Sequence, residues 1–228
     1  MNIEQKKQLI VHLSEFVTEE RLGLFQKNIK QRTGRLTIVL EDIFHSQNAS
    51  AVLRTADCFG VQNIHIIENR NEYLTHPNIS LGSSKWLTQT FYNKNKNNTK
   101  YCIEKLKNKG FKILATTPYG RKSIYDVEVK NKKTALLFGA EQEGLSEIAL
   151  ELADERVTIP MFGFTESYNI SVAAALCIQS LIGKIRASKE SWQLSEREKD
   201  IVLLNWLRNS IKKSKNIEKR YLKQLKVQ

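Results

Sequence analysis

LTIVLEDIFHSQNASAVLRTADCFGVQNIHII, residues 36–67, reads as strand, helix and strand in succession. The run Leu36-Thr-Ile-Val-Leu40 is apolar and partly β-branched, which suits a strand. From Asn48 to Phe59 the apolar residues recur at helical spacing, and Gly60 ends the pattern. Ile64 to Ile67 forms the second strand. Two strands joined by a helix must run parallel, because the helix carries the chain back along the sheet.

The same alternation continues downstream. A helix is expected near Thr99 to Lys109, stopped by Gly110, with strands at Ile113 to Thr116 and Thr134 to Phe138, a helix from Ser146 and a short strand at Val157 to Ile159. The fold class is therefore α/β, a mostly parallel sheet with helices on both faces. The helix after Asn169 is apolar almost all round, from Ile170 through Leu176 and Cys177 to Ile182, so it must be buried on more than one side. Its alanines allow burial in the sheet packing and also close approach of a second subunit.

Outside this core the chain changes character. Residues 1–35 read as a helical extension of two short amphipathic helices, one with Ile3, Ile10, Leu13 and Val17 on a face, the next with Leu22, Phe25 and Ile29. Residues 36–188 form the α/β domain, and residues 189–228 a basic helical extension. The latter opens with Ser195 and Glu198 in capping-box spacing and continues as one helix through Leu203, Leu207 and Ile211. Charge follows the same division. Residues 1–35 hold 7 basic and 4 acidic side chains and residues 189–228 hold 11 and 5, whereas the domain between them holds 18 and 15. With a net charge of +12 overall, a nearly neutral core flanked by basic ends fits a polyanionic partner such as nucleic acid, whose phosphates are gripped without regard to sequence. A lysine-rich surface that merely confers solubility gives the same count.

No apolar run approaches bilayer-spanning length and no signal-peptide core precedes the domain, so membrane and export functions are not expected. Cys58, Cys102 and Cys177 are odd in number and never in a CxxC pair, which argues against a disulfide framework or a zinc site and for reducing cytoplasm.

Three segments carry candidate chemistry. Gly139-Ala-Glu-Gln-Glu-Gly144-Leu-Ser146 has the glycine spacing of a phosphate loop, but Leu145 stands where the lysine is needed and Glu141 and Glu143 repel phosphate. Such a turn after a strand suits a ligand without phosphates, such as S-adenosylmethionine; a plain strand-to-helix turn would look the same. On the helix from Asn48, the residues Ala49, Val52, Leu53, Ala56 and Phe59 form a buried stripe that leaves Ser50, Arg54 and Asp57 opposite. Spacing alone favours Asn48 as an N-cap and a weak Arg54–Asp57 pair. The third segment, Ile159-Pro160-Met-Phe-Gly163-Phe-Thr-Glu-Ser167-Tyr168-Asn169, ends a strand and opens the apolar helix, which Ser167 or Asn169 could cap.

In order and spacing these words, with Gly82-Ser-Ser-Lys-Trp86 between them, resemble the TrmH-type tRNA (guanosine-18-2'-O)-methyltransferases of the SPOUT superfamily over residues 36 to 186. Tyr168 stands where leucine is more usual. The resemblance implies a C-terminal trefoil knot, a homodimer with active sites near the subunit interface, and methyl transfer from S-adenosylmethionine to a ribose 2'-hydroxyl of tRNA, at guanosine 18. It implies a cofactor pocket lined by Thr116, Gly139, Ile159 and Tyr168, and a catalytic group of Arg54, Asn48, Glu141, Ser167 and Asn169, with no metal. Two other functions fit a knot of this kind. A ribosomal-RNA 2'-O-methyltransferase commonly carries a separate α/β RNA-binding domain in front, unlike this short helical segment. A non-catalytic RNA-binding knot protein would have no use for Asn48, Arg54 and the Ser167/Asn169 pair.

Overall fold

The computed structural model describes residues 1–130 and 132–224. They form two units, Thr33–Trp192 and a second in which Met1–Arg32 joins the chain from Gln193 onward. The first unit is a seven-stranded sheet of β1 (Thr33–Glu41), β2 (Val61–Ile67), β3 (Thr88–Tyr92), β4 (Phe111–Thr116), β5 (Lys122–Ser123), β6 (Lys133–Phe138) and β7 (Glu155–Thr158). All pairings are parallel, in the order β3-β2-β1-β6-β4-β7-β5.

Alternation along the strands makes two cores. Leu36, Ile38 and Leu40 of β1, with Leu136 and Phe138 of β6, face the helices α3 (Ser46–Cys58) and α7 (Ile170–Ala187). Val39, Ala135 and Leu137 point the other way, onto Cys102, Ile103 and Leu106 of α5 (Asn98–Asn108) and Ala149 of α6 (Glu147–Leu152). Helices therefore cover both faces, as parallel strands require. Pro77–Ser80 adds one helical turn, α4.

Several expectations need correction. Ser50 is fully buried, not opposite the stripe, because its Oγ accepts the His76 N–H at 2.6 Å from a distant part of the chain. Phe59 is half-buried against the same core, and Arg54 is exposed. Strands β3 and β5 had no sequence signal: β3 is half-exposed and β5 is two residues long. The helix α7 is long and apolar enough to cross a bilayer by length and composition, contrary to the reading of the sequence. Seven of its residues, Ile170 to Ile185, are nevertheless built into the core. The three cysteines are free, and burial pushes the Cys102 and Cys177 thiols up to about 12.

The second unit holds α1 (Ile3–Ser14), α2 (Glu19–Ile29), α8 (Glu196–Ser210) and α9 (Ser214–Gln224). Leu13 of the expected stripe is buried in α1 and Ile10 is half-buried, but Leu9 is buried as well, which the sequence reading did not include, and Ile3 is exposed. Phe25 packs on Trp206 with ring centroids 5.6 Å apart, and the Arg32 guanidinium lies 5.2 Å from the same indole. The capping box is present: Ser195 N–H donates to Glu198 Oε2 at 2.8 Å, and Glu198 N–H to Ser195 Oγ at 3.4 Å. The basic tail is two helices and not one. Lys213 takes a left-handed φ of 60°, and Ser214 Oγ donates to Arg208 O at 2.9 Å to close the turn.

At the carboxyl end of β1, buried Glu41 accepts hydrogen bonds from the Thr99 hydroxyl, Ser146 Oγ at 2.8 Å and Ser146 N–H at 2.9 Å. It joins β1 to the starts of α5 and α6. Glu41→Ala strands those donors and is expected to lower unfolding stability by about 2–4 kcal/mol, read by urea denaturation. An unchanged midpoint would refute this bracing role.

Candidate active site at the carboxyl edge of the sheet

Strands β1, β2 and β3 step outward in one direction, while β6, β4, β7 and β5 lie on the other side of β1. The strand order thus reverses between β1 and β6, and a crevice at the carboxyl ends of strands beside such a reversal is the usual place for a ligand in an open parallel sheet. All three segments singled out in the sequence end at this edge.

Glu141, in the loop after β6, joins them. Its Oε1 accepts Asn48 Nδ2 at 2.8 Å and His45 N–H at 3.1 Å, and its Oε2 accepts Phe44 N–H at 3.1 Å. Asn169 Nδ2 in turn donates to Asn48 Oδ1 at 3.2 Å, while Asn169 Oδ1 caps α7 by accepting Ser171 N–H at 2.8 Å and Ser171 Oγ at 2.6 Å. Glu141, Asn48 and Asn169 are thereby one relay built from three distant segments. Asn48 is not the N-cap of α3, because the helix begins at Ser46 after His45 and the Asn48 amide is committed to Glu141 and Asn169. Burial raises the Glu141 pKa, but the Asn48 amide and the backbone N–H groups of Glu141, Phe44 and His45 outweigh it and hold the carboxyl below its ordinary range.

Three of the four positions expected to line a cofactor pocket fall at the neighbouring strand ends, and the fourth, Tyr168, lies in the loop directly before the cap of α7. Thr116 ends β4, Gly139 follows β6, and Ile159 follows β7, on three adjacent strands. The Thr116 hydroxyl is held by Leu137 O at 2.6 Å. Gly139 permits a tight loop: Ala140 and Gly144 exchange two backbone hydrogen bonds of 2.9 and 3.0 Å, Gly144 has φ 71°, and a Cβ on Gly139 would lie 2.1 Å from Gly144 backbone atoms. Gly120 is equally pressed, with a Cβ 2.4 Å from Val157 C. Ile159 packs half-buried against the core and Tyr168 is exposed. Backbone and apolar surface, with no basic side chain at these four positions, suit a neutral or sulfonium-bearing ligand better than a phosphate.

Ser167 and Arg54 are not drawn into the relay. Ser167 is exposed on the loop before α7. The Arg54 side chain is exposed and makes no hydrogen bond or ion pair with the described residues. Six positions after Asn48, it lies about 9 Å along the α3 axis and roughly 120° around it.

A cavity of about 440 Å³ at the same edge includes Phe44, Arg70, Asn71 and Glu143, none of which sequence reasoning had assigned to a site, with His45 and Glu141. It forms because Asp42, at φ 51°, turns its carboxylate toward the loop after β2. There Asp42 Oδ1 accepts the N–H groups of Asn69 at 2.7 Å, Arg70 at 2.9 Å and Asn71 at 3.4 Å. Asp is one of the few residues tolerating that conformation. The polar triplet Asn69-Arg70-Asn71 directly after a strand was the available signal. Among the described residues no group of three His, Cys, Asp or Glu side chains could hold a metal ion.

Residues 35–179 match the SpoU rRNA Methylase family. The chain is 42% identical, over 90% of its length and 93% of the relative's, to the tRNA (guanosine(18)-2'-O)-methyltransferase of Borreliella burgdorferi. The A. aeolicus TrmH/SpoU tRNA modifying enzyme superposes with a TM-score of 0.75 at 27% identity, covering 85% of this chain and 98% of that one. The SpoU methyltransferase AviRb from Streptomyces viridochromogenes, in complex with the cofactor AdoMet, shares the fold at a TM-score of 0.60 and 22% identity, over 71% of this chain and 65% of its own.

The lowered pKa of Glu141 has a pH consequence. A depressed folded-state value contributes stability that is complete above the ordinary glutamate range and is lost as pH falls through the lower value. The stability difference between the parent and Glu141→Gln should therefore be full at neutral pH and close in acid. A difference constant down to acid unfolding would show that the carboxylate does not bind this network in its charged form.

Proposed function

The chain belongs to the SpoU rRNA Methylase family, and on that premise we propose that it transfers a methyl group from S-adenosylmethionine to the ribose 2'-hydroxyl of guanosine 18 in tRNA. The relay of Glu141, Asn48 and Asn169 carries the assignment, because it joins all three motif segments at the strand edge. The relative from Borreliella burgdorferi, matched over nearly its whole length, supports tRNA over ribosomal RNA.

The loops after β4, β6 and β7 fit the cofactor: Gly139 gives the close backbone approach, Ile159 an apolar wall, and Thr116 and Tyr168 the rim. When bound, S-adenosylmethionine supplies an electrophilic methyl group on a sulfonium. The protein must align a ribose hydroxyl with it and ease loss of the hydroxyl proton. Arginine is a poor free base, so Arg54 positions and polarises the 2'-hydroxyl together with an RNA phosphate, and the hydroxyl proton passes to one of these two partners. Asn48, Ser167 and Asn169 hold the ribose, and Glu141 orients Asn48. The basic side chains of residues 1–35 and 189–228 grip tRNA phosphates, and the protein works in the cytoplasm.

The proposal includes a trefoil knot in the β6 to α7 part of the chain, the resemblance being its support, and a homodimer. Two observations favour the dimer. Val172 on α7 is 45% exposed beside partly exposed Ala175 and Leu176, an apolar face left without cover among the described residues. Arg54 also stands apart from the relay on its own chain, as it would if sites are completed near a subunit interface.

Mass mapping of ribose methylation in tRNA from cells lacking the protein tests the reaction. The methyl group at guanosine 18 should vanish and return with the parent gene. Complementation with Arg54→Ala should restore less than about a hundredth of the rate with an unchanged melting temperature, since no core packing is lost. Full restoration by that variant would remove Arg54 from the mechanism.

Light scattering should report the mass of two chains at micromolar concentration. A fully active monomer would contradict the shared-site reading.

A further inference from the structure

The cavity beside the relay contains more than methyl transfer to a ribose requires. Arg70 and Glu143 face each other across it as an ion pair. Their side chains are 54% and 61% exposed, and an exposed pair of this kind contributes little and exchanges partners readily. Arg70 is set in place from behind: Asp42 Oδ1 binds its backbone N–H at 2.9 Å, and Asp42 Oδ2 lies 3.6 Å from its Nε. Phe44 stands at the rim, 68% exposed, with its ring edge-to-face against His45 at 5.0 Å. His45 and Phe44 present their N–H groups to Glu141, so the cavity wall and the relay share a carboxylate.

We propose that this cavity is the base subsite for the target nucleotide and selects guanine, with Phe44 as the stacking platform and Arg70 and Glu143 as the specificity-determining pair. This rests on the tRNA methyltransferase reading above. A volume of about 440 Å³ accommodates a nucleoside-sized ligand. Single-stranded RNA bases are held by stacking on aromatic rings and by hydrogen bonds along their edges. Guanine offers O6 and N7 as acceptors, which the arginine fork meets, and N1–H and N2–H₂ as donors, which a carboxylate accepts. The Arg70–Glu143 pair opens to take the base between its two charges. Adenine keeps only N7 for the guanidinium, sets its N6 amino group where the O6 acceptor is needed, and turns its N1 lone pair against Glu143. A base seated here leaves its ribose at the Asn48 side of the shared Glu141.

The test uses the full-length protein and tRNA transcripts carrying guanosine or adenosine at the nucleotide mapped as the methylation site. The parent should prefer guanosine by about tenfold or more in kcat/KM, as each such edge contact discriminates. Glu143→Gln should bring the two substrates within about threefold of each other, and Arg70→Gln should raise KM for the guanosine tRNA about tenfold. Calorimetric binding of S-adenosylmethionine should be unchanged in both variants, which establishes that they are folded. Variants that keep the parent's preference, or a parent with none, would overturn the guanine subsite and leave the methyltransferase reading intact. A parent that methylates no tRNA ribose would remove both.

Discussion

The Glu141 carboxylate is the fastener of this site. It receives one side-chain amide and two backbone N–H groups from the β1–α3 connection, and through Asn48 it reaches the cap of α7. Charge-assisted bonds of this kind are about twice as strong as neutral ones, and they act between segments that no local turn could hold together. The Ala140–Gly144 bridge fixes the loop that carries Glu141, so its side chain arrives at the relay with little freedom left to lose. Without the tight glycine turn, the carboxylate would have no fixed place from which to hold Asn48.

The same device recurs along the carboxyl ends of the strands. Glu41 holds the starts of α5 and α6. Asp42 gathers the amides of residues 69 to 71. Glu68, just past β2, accepts Tyr73 N–H at 2.8 Å and Asn93 Nδ2 at 2.6 Å. Each acid satisfies backbone or amide donors that the ends of a sheet would otherwise leave to water. The edge that has to meet a substrate is thus stiffened loop by loop, leaving exposed mainly those side chains that structural bonds do not consume, Phe44 among them.

How much of this was readable in advance depended on range. The parallel core was legible because Leu36–Leu40 and Ile64–Ile67 flank a helix with a clear stripe and a glycine stop, all local signals. Strand β3 was not, since Gln89, Thr90 and Phe91 sit on an edge and show no apolar alternation. The burial of Ser50 was invisible because its partner is a backbone N–H at His76. Asn48, Glu141 and Asn169 could be grouped only through family resemblance, and periodicity alone turned Asn48 into a helix cap. Arg70 and Glu143 were not joined, because the local pattern of each says nothing of the other and the ends of β2 and β6 meet only in the folded sheet.

The helical unit built from both ends of the chain sets a schedule for synthesis. Phe25 and Ile29 on α2 have apolar surface to hide, but the unit that buries them includes Trp206 and Leu207 on α8. On a ribosome adding about 5–20 residues per second, α2 waits on the order of ten seconds or more with that surface uncovered while the whole sheet emerges. During the delay the nascent front segment is a natural client for a holding chaperone. A chain truncated before α8 would leave the exit tunnel with its first helices orphaned, a mark by which quality-control proteases could recognise an unfinished product.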